Sequence, residues 1–306
     1  MEVLQNEDGR TEKFSKPDPP LQRFLENFFE SKVSTGAFAV LLLILILGLF
    51  APLISPTDPY DLAQVDVMDS RLEPGSKSYT GMTYWLGTDG AGRDLLSAIL
   101  YGLRTSLSVG VLSGLIALAI GGAFGLIAAY FGGKVETLIM RVVDIQLGFP
   151  AILVALVLVA LLGKGVDKII VALVVVQWAY YARTVRGSAL VERRKEYIEA
   201  ATCLALSHQR IVFRHLLPNC LPPLIVVGTL QTAHAISLEA TLSFLGIGLP
   251  ITEPSLGLLI ANGFEYMLSQ RYWISFFPGI ALLITIVSIN LVGDQLRDVL
   301  NPSLQK

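Results

Sequence analysis

The acidic residue Glu239 follows directly on an apolar run and is the sharpest candidate in this sequence for chemistry inside a membrane. A carboxyl group there is costly unless it faces water, protein or a pathway. It could attract a cationic amine or a metal ion, act as a gate residue paired to a nearby donor, or lie in a loop near the membrane surface. Ser243 and Phe244 are grouped with it as a candidate pathway or gate. His234 is expected to be a hydrogen-bonded interior histidine, because one His beside one Glu makes no metal site.

A short surface helix is predicted around Glu199, where good helix formers and a face of small side chains lie within a basic segment. Small residues let a docking helix insert closely into a partner, and charges at its rim orient the contact. The candidate contact residues are Glu199, Ala200, Ala201, Leu204, Ala205 and Arg210. Taken alone, a Glu-Ala-Ala helix is more often a solvated connector, so its meaning depends on the rest of the pattern.

Three charged residues, Asp89, Arg93 and Asp94, precede another apolar run. Asp89 is expected to cap a turn or to pair with Arg93, and residues 95–103 are expected to form an amphipathic interfacial helix before the span. The alternative is a docking surface for an external partner protein. The sequence does not separate these two interpretations, and both can hold.

The sequence contains no recognisable catalytic constellation. A phosphate-binding loop needs Gly-Lys followed by Ser or Thr, whereas the Gly-Lys pairs at Lys134 and Lys164 precede Val135 and Gly165. There is no serine elbow and no metal-ligand pair on a helix, and two cysteines are too few and too far apart for a zinc site. We therefore expect no enzyme active site, no cofactor and no metal in this chain. The net charge of -2 argues against nucleic acid as a partner.

The elements that must position these residues are membrane spans. Hydrophobic residues make up 53% of the sequence, charged residues make up 16%, and the mean hydropathy is +0.61, which exceeds what one soluble core can hide. A spanning helix needs about 20 mostly apolar residues. Six stretches qualify or nearly so, at 33–57, 105–133, 145–163, 169–182, 216–238 and 272–293. The fourth is short and counts as a span if Lys168 and Arg183 carry their charges to the two interfaces.

Positive charges give the expected orientation, because short loops rich in Lys and Arg stay in the cytoplasm. Seven of them fall between the fourth and fifth spans, namely Arg183, Arg186, Arg193, Arg194, Lys195, Arg210 and Arg214. With six spans and a cytoplasmic N-terminus, this segment and the C-terminus lie inside. The stretches 58–104, 164–165 and 253–271 then lie outside. Arg141 and Asp144 are expected to form an ion pair near the inner membrane face.

Several motifs together resemble one family of transport proteins. Glu199-Ala200-Ala201, continuing to Leu217-Pro218-Asn219, resembles the cytoplasmic coupling segment of ABC-transporter permeases. Leu86-Gly87-Thr88-Asp89, followed by Gly92-Arg93-Asp94, resembles a signature of the C-type permeases of dipeptide, oligopeptide and nickel importers. Among the mild departures, Ala205 stands where this family usually has a glycine that permits a sharper turn.

The resemblance implies an all-α integral membrane protein with six transmembrane helices, the type I ABC importer permease architecture and both termini in the cytoplasm. Residues 1–32 would form a cytoplasmic N-terminal tail, and residues 33–104 the first transmembrane helix with a periplasmic segment. Residues 105–300 would form a core permease domain of five transmembrane helices with a coupling helix near 195–210. Residues 301–306 would form a C-terminal tail.

The resemblance also implies a permease subunit of an ATP-driven importer in a bacterial cytoplasmic (inner) membrane. Expected partners are a second, B-type permease, a periplasmic solute-binding protein, and two ATP-binding subunits that would bind ATP and Mg and dock on the Glu199 helices. A di- or oligopeptide is the expected substrate, and nickel, opine or glutathione-type compounds stay open. A stand-alone secondary carrier is the alternative from another class, but it predicts ionisable residues near span midpoints, whereas charges here gather at span ends.

Overall fold

Helices form almost all of the regular structure in the residues that the computed structural model describes, which are 20–79, 81–250 and 252–300. The N-terminal part contains α1 (Pro20–Glu30), α2 (Lys32–Leu49) and α3 (Ala51–Ile54). The rest contains α4 (Leu95–Phe131), α5 (Gly133–Gly148), α6 (Ala151–Leu162), α7 (Val166–Arg193), α8 (Glu196–Cys203), α9 (His208–Arg210), α10 (Leu217–Phe244), α11 (Leu256–Phe264) and α12 (Trp273–Leu300). Residues 1–19 and 301–306, which include the expected C-terminal tail and most of the N-terminal one, lie outside the described residues.

Among the described residues, five helices are long and apolar enough to cross a membrane: α2, α4, α7, α12, and the helix His208–Phe244, in which a π-helical segment (Ile211–Leu216) joins α9 to α10. The third expected span, at 145–163, is not a single helix. It corresponds to the end of α5 together with α6, and these two helices meet at an angle of 91°. Pro150 explains the break, because proline disfavours a helical backbone at the preceding residue and has no amide hydrogen to donate.

Helix α4 begins ten residues earlier than predicted and runs without a break from Leu95 to Phe131. Asp94 caps it by accepting hydrogen bonds from the backbone N–H of Ser97 at 2.9 Å and from its hydroxyl at 2.5 Å. The separate interfacial helix expected over 95–103 is therefore the first part of this span. The domain boundary expected between residues 104 and 105 falls inside the helix.

Helix α7 is twice as long as the predicted span, so Arg183 and Arg186 lie on the helix rather than in a loop. Arg183 donates to Asp144 of α5 at 2.5 Å, and Arg186 pairs with Glu136, which also lies on α5. The expected Arg141–Asp144 pair is wrong, because α5 packs on α7 and brings Arg183 to the carboxylate. These pairs fasten α5 to α7.

Helices α4 and α7 form the most extensive helix–helix contact in the described bundle. A side-chain carbon at Gly121 would overlap the carbonyl oxygen of Trp178, and one at Gly125 would lie 2.5 Å from the carbonyl oxygen of Ala182. Glycine at these two positions lets the backbones approach closely. One apolar cluster lies between α4, α10 and α12, with Ile99, Ile236 and Ile289 among its members.

The loops divide between two ends of the bundle. One end, the α8 end, carries α8 and the α5–α7 ion pairs. The opposite end carries residues 55–94, which include a small antiparallel hairpin of β1 (Ser76–Lys77) and β2 (Thr83–Tyr84), and the segments before and after α11. Contacts such as Arg71 stacked over the ring of Tyr266, 5.4 Å from its centre, join these segments. The grouping of loops expected from the sequence therefore agrees with the structure.

Candidate coupling site and buried carboxyl

Helix α8 lies across the α8 end of the bundle between α7 and α9. Glu196 and Glu199 occupy its first turn, where the helix dipole stabilises negatively charged side chains. Its inner face buries Ile198 and Ala201 in an apolar cluster with Ile211 and other side chains of α4, α7 and α10. The helix is thus held by apolar packing on one face and is open on the other.

The turn after α8 keeps a glycine-like geometry although an alanine occupies it. Ala205 has a φ of 52°, in the left-handed region. The N–H of Leu206 donates to the carbonyl of Ala201 at 3.2 Å, and the N–H of Ala205 donates to that of Thr202 at 2.9 Å. This pair of bonds is the Schellman motif that ends many helices. Alanine accepts the conformation at an energetic cost, because its Cβ crowds the backbone there.

The outer face of α8 contains most of the predicted contact residues. Glu199, Ala200 and Ala205 are exposed, and Leu204 is 75% exposed. Ala201 is only 5% exposed and packs inward, because three helical positions separate it from the inward Ile198. Its side chain therefore does not lie on the outer face where the sequence analysis placed it.

Arg210 lies on α9 and is exposed, at the end of the stretch 195–210 where the coupling helix was expected. The π-helical segment connects α9 to α10 without interruption. His208 contacts the hydroxyl of Tyr130 at the end of α4 through a short hydrogen bond. The coupling segment is therefore joined directly to two spans, α4 and α10.

A hydrogen-bonded chain ties α8 to both neighbouring spans. The hydroxyl of Tyr197 on α8 donates to Glu192 on α7 at 2.8 Å and accepts from Asn219 on α10 at 3.1 Å. Lys195 donates to the same carboxylate at 2.6 Å. We call Glu192, Tyr197 and Asn219 the α8 clamp. Partial burial, with the hydrogen bond to the Glu192 carboxylate, raises the pKa of Tyr197 to about 12, so the phenol stays protonated at physiological pH.

Glu239 is completely buried between three elements of the protein's own fold. Its carboxyl oxygens accept hydrogen bonds from Ser106 of α4 at 2.9 Å and from Ser243 of α10 at 2.7 Å. Ser255, which caps α11, is buried next to the carboxyl group. Hydroxyl donors satisfy this acid inside the bundle, so neither Glu239 nor Ser243 faces open space in this chain.

Phe244 and His234 lie on the surface of the chain, unlike Glu239. Phe244 is 40% exposed and meets Phe264 edge to face, with ring centres 5.8 Å apart. His234 is also exposed and makes no hydrogen bond through its side chain within the described residues. The expectation of a hydrogen-bonded interior histidine is therefore wrong, because the ring points away from the helices that pack on α10.

The charges Asp89, Arg93 and Asp94 are buried at the opposite end. Asp89 accepts from the Arg93 guanidinium at 2.7 Å and from the backbone N–H groups of Ala91 and Arg93 at 2.9 Å. The expected turn and helix cap are present. These three side chains do not themselves offer a surface to a partner, because they hold the loop from inside.

Sequence reasoning missed the α8 clamp and the serine partners of Glu239. Tyr197 and Asn219 lie within the quoted coupling segment but 22 residues apart, and only the fold brings them together. Ser106 is separated from Glu239 by 133 residues, so no local signal connects them. An inward-pointing hydroxyl on a spanning helix is the available hint that a polar partner lies nearby.

Comparison with known families agrees with this arrangement. Residues 121–306 match the family described as binding-protein-dependent transport system inner membrane component. The chain belongs to this family. Residues 19–74 of the permease match the N-terminal transmembrane domain of oligopeptide transport permease C. It is a multi-pass membrane protein and a permease subunit of an ABC importer, a class that works together with other ABC subunits.

Named relatives cover nearly the whole permease. The di/tripeptide transport system permease DppC of Pseudomonas aeruginosa is 37% identical over 94% of this chain and 93% of its own length. The dipeptide permease DppC of Haemophilus influenzae is 34% identical over 95% and 97%. The glutathione permease GsiD of Pectobacterium atrosepticum is 34% identical over 94% and 92%.

A solved structure shares the fold of the permease. It is the inward-facing methionine ABC transporter MetNI, with a TM-score of 0.55 and 22% identity over 67% of this chain and 96% of the matched one. At this identity the likeness concerns the fold alone. It supports the type I importer permease architecture.

Proposed function

We propose that this permease carries short peptides across a bacterial cytoplasmic membrane, together with a B-type permease, two ATP-binding subunits and a periplasmic binding protein. The exposed face of α8 is the observation that carries the proposal. It presents Glu199, Ala200, Leu204 and Ala205 at the end of the bundle, while the opposite face is packed into the core. Such a helix can receive a partner without disturbing its own packing.

The ATP-binding subunits would dock on this face of α8, with Glu199 and Arg210 at its rim. ATP and Mg would be bound by those subunits, because this sequence contains no phosphate-binding loop. Ala201 would support the contact from inside by keeping α8 close to Leu216 and Cys220. Docking energy would come from close packing on the small outer face, and the charges would orient the partner.

Movement of α8 would reach the spans through the α8 clamp. Closure of the ATP-binding subunits displaces α8, and the clamp holds it to α7 and α10 at the same time. Because α7 is fastened to α4 and α5, the displacement changes the tilt of several spans together. Transport then alternates between two packings of the bundle, biased by ATP at one end and by the loaded binding protein at the other.

The cluster around Glu239 would act as a gate latch near the opposite end. It connects α4 to α10 through hydroxyl groups beside the cap of α11, and Phe244 lies on the exposed side of the same region. Separation of α4 from α10 would break the bond to Ser106. The gate would therefore resist opening until the spans are driven apart. Of the roles considered for Glu239 from the sequence, this one is the gate residue paired to a nearby donor.

The binding protein would dock on the loop that Asp89, Arg93 and Asp94 hold in place. Large apolar side chains are exposed on this loop, namely Val67, Met68, Tyr79 and Trp85. Exposed apolar and aromatic side chains at one end of a protein mark interaction surfaces. The buried charges thus serve docking by maintaining the shape of the loop.

A peptide is the proposed substrate because the peptide permeases named above cover this chain almost end to end. The glutathione permease relative makes a glutathione-type compound the second candidate, and that compound is itself a small peptide. Both substrates present amide groups and carboxylates to the transport route.

Co-purification from native membranes in mild detergent tests the partners. We expect the wild type to bring down a second permease and ATP-binding subunits, and Glu199→Arg and Ala200→Trp to lose the ATP-binding subunits selectively. Glu265→Arg, at an exposed site of the opposite end, is the matched control and should retain them. A wild-type chain that purifies alone, or variants that retain every partner, would contradict the docking proposal.

A further inference from the structure

One face of α10 is only partly covered by the other described helices. Residues spaced alternately by four and three lie on one face of a helix, and here they are Pro223, Val227, Leu230, His234, Ser237 and Thr241. Each of them is half-buried or exposed, and Phe244 continues the series. We call this face the α10 stripe. It extends over about 32 Å, which equals the thickness of the hydrocarbon core of a bilayer.

The α10 stripe is polar from its middle to the end opposite α8. A helix that faced lipid is expected to be apolar there. His234, Ser237 and Thr241 follow one another along the stripe. Ser237 and Thr241 satisfy their hydroxyls on carbonyl groups one turn earlier, at 3.0 and 2.8 Å. The imidazole of His234 has no such partner in the described residues, and an unpartnered polar ring is costly in lipid. The stripe therefore faces water or a polar partner.

The stripe continues into a groove at the α8 end. A cavity of about 460 Å³ lies between α10 and α12 and is lined by Pro223, Val227, Leu230 and Arg297, among others. The guanidinium of Arg297 gives this end a positive charge, which complements a carboxylate. The exposed face of α12 differs in kind, because its Leu283, Ile284 and Val287 are all apolar.

We propose that the α10 stripe lines the translocation route and that His234 hydrogen-bonds the amide or carboxylate groups of a peptide in transit. This inference rests on the proposed function. A peptide carries a donor and an acceptor at every residue, so a route across the membrane must supply polar partners along its length. The imidazole can donate and accept, the hydroxyls lie beyond it, and Arg297 lies at the exit toward the α8 end.

Cysteine accessibility in the assembled transporter tests the stripe. Single cysteines replace His234, Ser237 or Thr241 in a chain in which Cys203→Ser and Cys220→Ala remove the natural thiols. The probe is a charged, membrane-impermeant methanethiosulfonate. Ile225→Cys is the matched control, because Ile225 is 47% exposed on another face of the same helix. We expect the probe to modify the three stripe positions, to block transport of a dipeptide, and to leave the control unmodified.

Two results would overturn the proposal. Stripe cysteines that react no faster than Ile225→Cys would place the stripe against lipid. Cysteines that react in the isolated chain but never in the assembled transporter, at any stage of ATP hydrolysis, would make it a static contact with the second permease. Wild-type transport of a dipeptide is measured in parallel. Its absence would refute the proposed function, whereas transport without stripe labelling would refute this inference alone.

Substitution of His234 gives a second measurement. His234→Leu should raise the KM for dipeptide transport by about tenfold through loss of a polar contact, with all partners still co-purifying. His234→Gln, which keeps a donor and an acceptor, should restore most of the loss. Equal KM values for His234→Leu and the wild type would contradict a role in substrate contact.

Discussion

At the scale of single residues, Glu239 shows how a membrane protein accommodates an acid. The carboxyl group is shielded from water and lipid by hydroxyl groups of three elements, so its side chain links segments that are far apart in sequence. A buried acceptor that loses its donors, or donors that lose their acceptor, each destabilise the fold. The residue should therefore matter for stability as well as for gating.

Replacement of Glu239 tests its contribution to the stability of the fold. Glu239→Ala should lower the free energy of unfolding in detergent by about 3 kcal/mol, because it leaves two buried hydroxyls without an acceptor. Glu239→Gln keeps an acceptor oxygen and should cost clearly less. Glu265→Ala, at an exposed acid, should change stability by less than about 0.5 kcal/mol. Equal stability of Glu239→Ala and Glu239→Gln would contradict the role of the hydroxyl bonds.

The backbone at Ala205 makes a second residue-scale prediction. Glycine adopts a positive φ without the steric cost that alanine bears, so Ala205→Gly should stabilise the protein by up to about 1 kcal/mol. Ala200→Gly, within α8, should destabilise it by a similar amount, because glycine weakens a helix interior. Denaturant titration of the two variants checks the signs. Destabilisation by Ala205→Gly would show that the turn relaxes in solution.

At the scale of elements, the α8 clamp connects α8 by hydrogen bonds to two spans, α7 and α10. Tyr197→Phe removes the shared hydroxyl and leaves the apolar packing of Ile198 and Ala201 in place. We expect the ATP-binding subunits to stay bound while the number of peptides transported per ATP hydrolysed falls by about fivefold, the effect of losing a hydrogen bond of ordinary strength. Transport and ATP hydrolysis are measured together in proteoliposomes.

The matched control for the clamp is Tyr180→Phe on α7. Its ring is 37% exposed, close to the 38% of Tyr197, and its hydroxyl makes no hydrogen bond in the described residues. Asn219→Ala should act like Tyr197→Phe, and the two together should not add, because they remove the same connection. An unchanged transport ratio in Tyr197→Phe would exclude the clamp as a mechanical connection.

The sequence predicted the spans well because apolar length is set by the thickness of the bilayer. It failed at 145–163 and at the start of α4 for different reasons. At 145–163 the apolar run hides a turn at Pro150, since hydropathy does not sense backbone geometry. At α4 the polar residues before Thr105 interrupt the apolar run although the helix continues through them. The sequence also did not predict which way side chains point, as the inward Ala201 and the outward His234 show.

At the scale of the whole molecule, the chain has two chemically different ends. The α8 end is rich in arginine and ion pairs, whereas the opposite end presents apolar and aromatic side chains on a loop held by buried charges. The number of spans and the positive charges predicted which loops share an end, because successive spans must alternate in direction. The contacts between those loops could not be predicted, because they join residues such as Arg71 and Tyr266 that are distant in sequence.

Thiol labelling in intact cells tests the orientation that the positive charges predict. Tyr79→Cys, at a site 84% exposed on the opposite end, should react with an impermeant maleimide added outside. Cys203, which is exposed on α8, should react only after the membrane is permeabilised. Tyr79→Cys is examined with Cys203 replaced by serine, so that each site is seen separately. Labelling of Cys203 in intact cells would reverse the topology.

Helix α4 connects these two ends in one piece. Its 37 residues give a rod about 55 Å long, well beyond the ~30 Å of hydrocarbon, and neither proline nor a break interrupts it. It starts at the Asp94 cap and finishes where Arg193 donates to the carbonyl of Ala129 at 2.8 Å. Pivoting such a rod by about 10° around its centre swings its tips roughly 5 Å in opposite directions. A displacement of α4 at one membrane face therefore moves its other end at the opposite face, and no chain of intervening side chains is needed to transmit it.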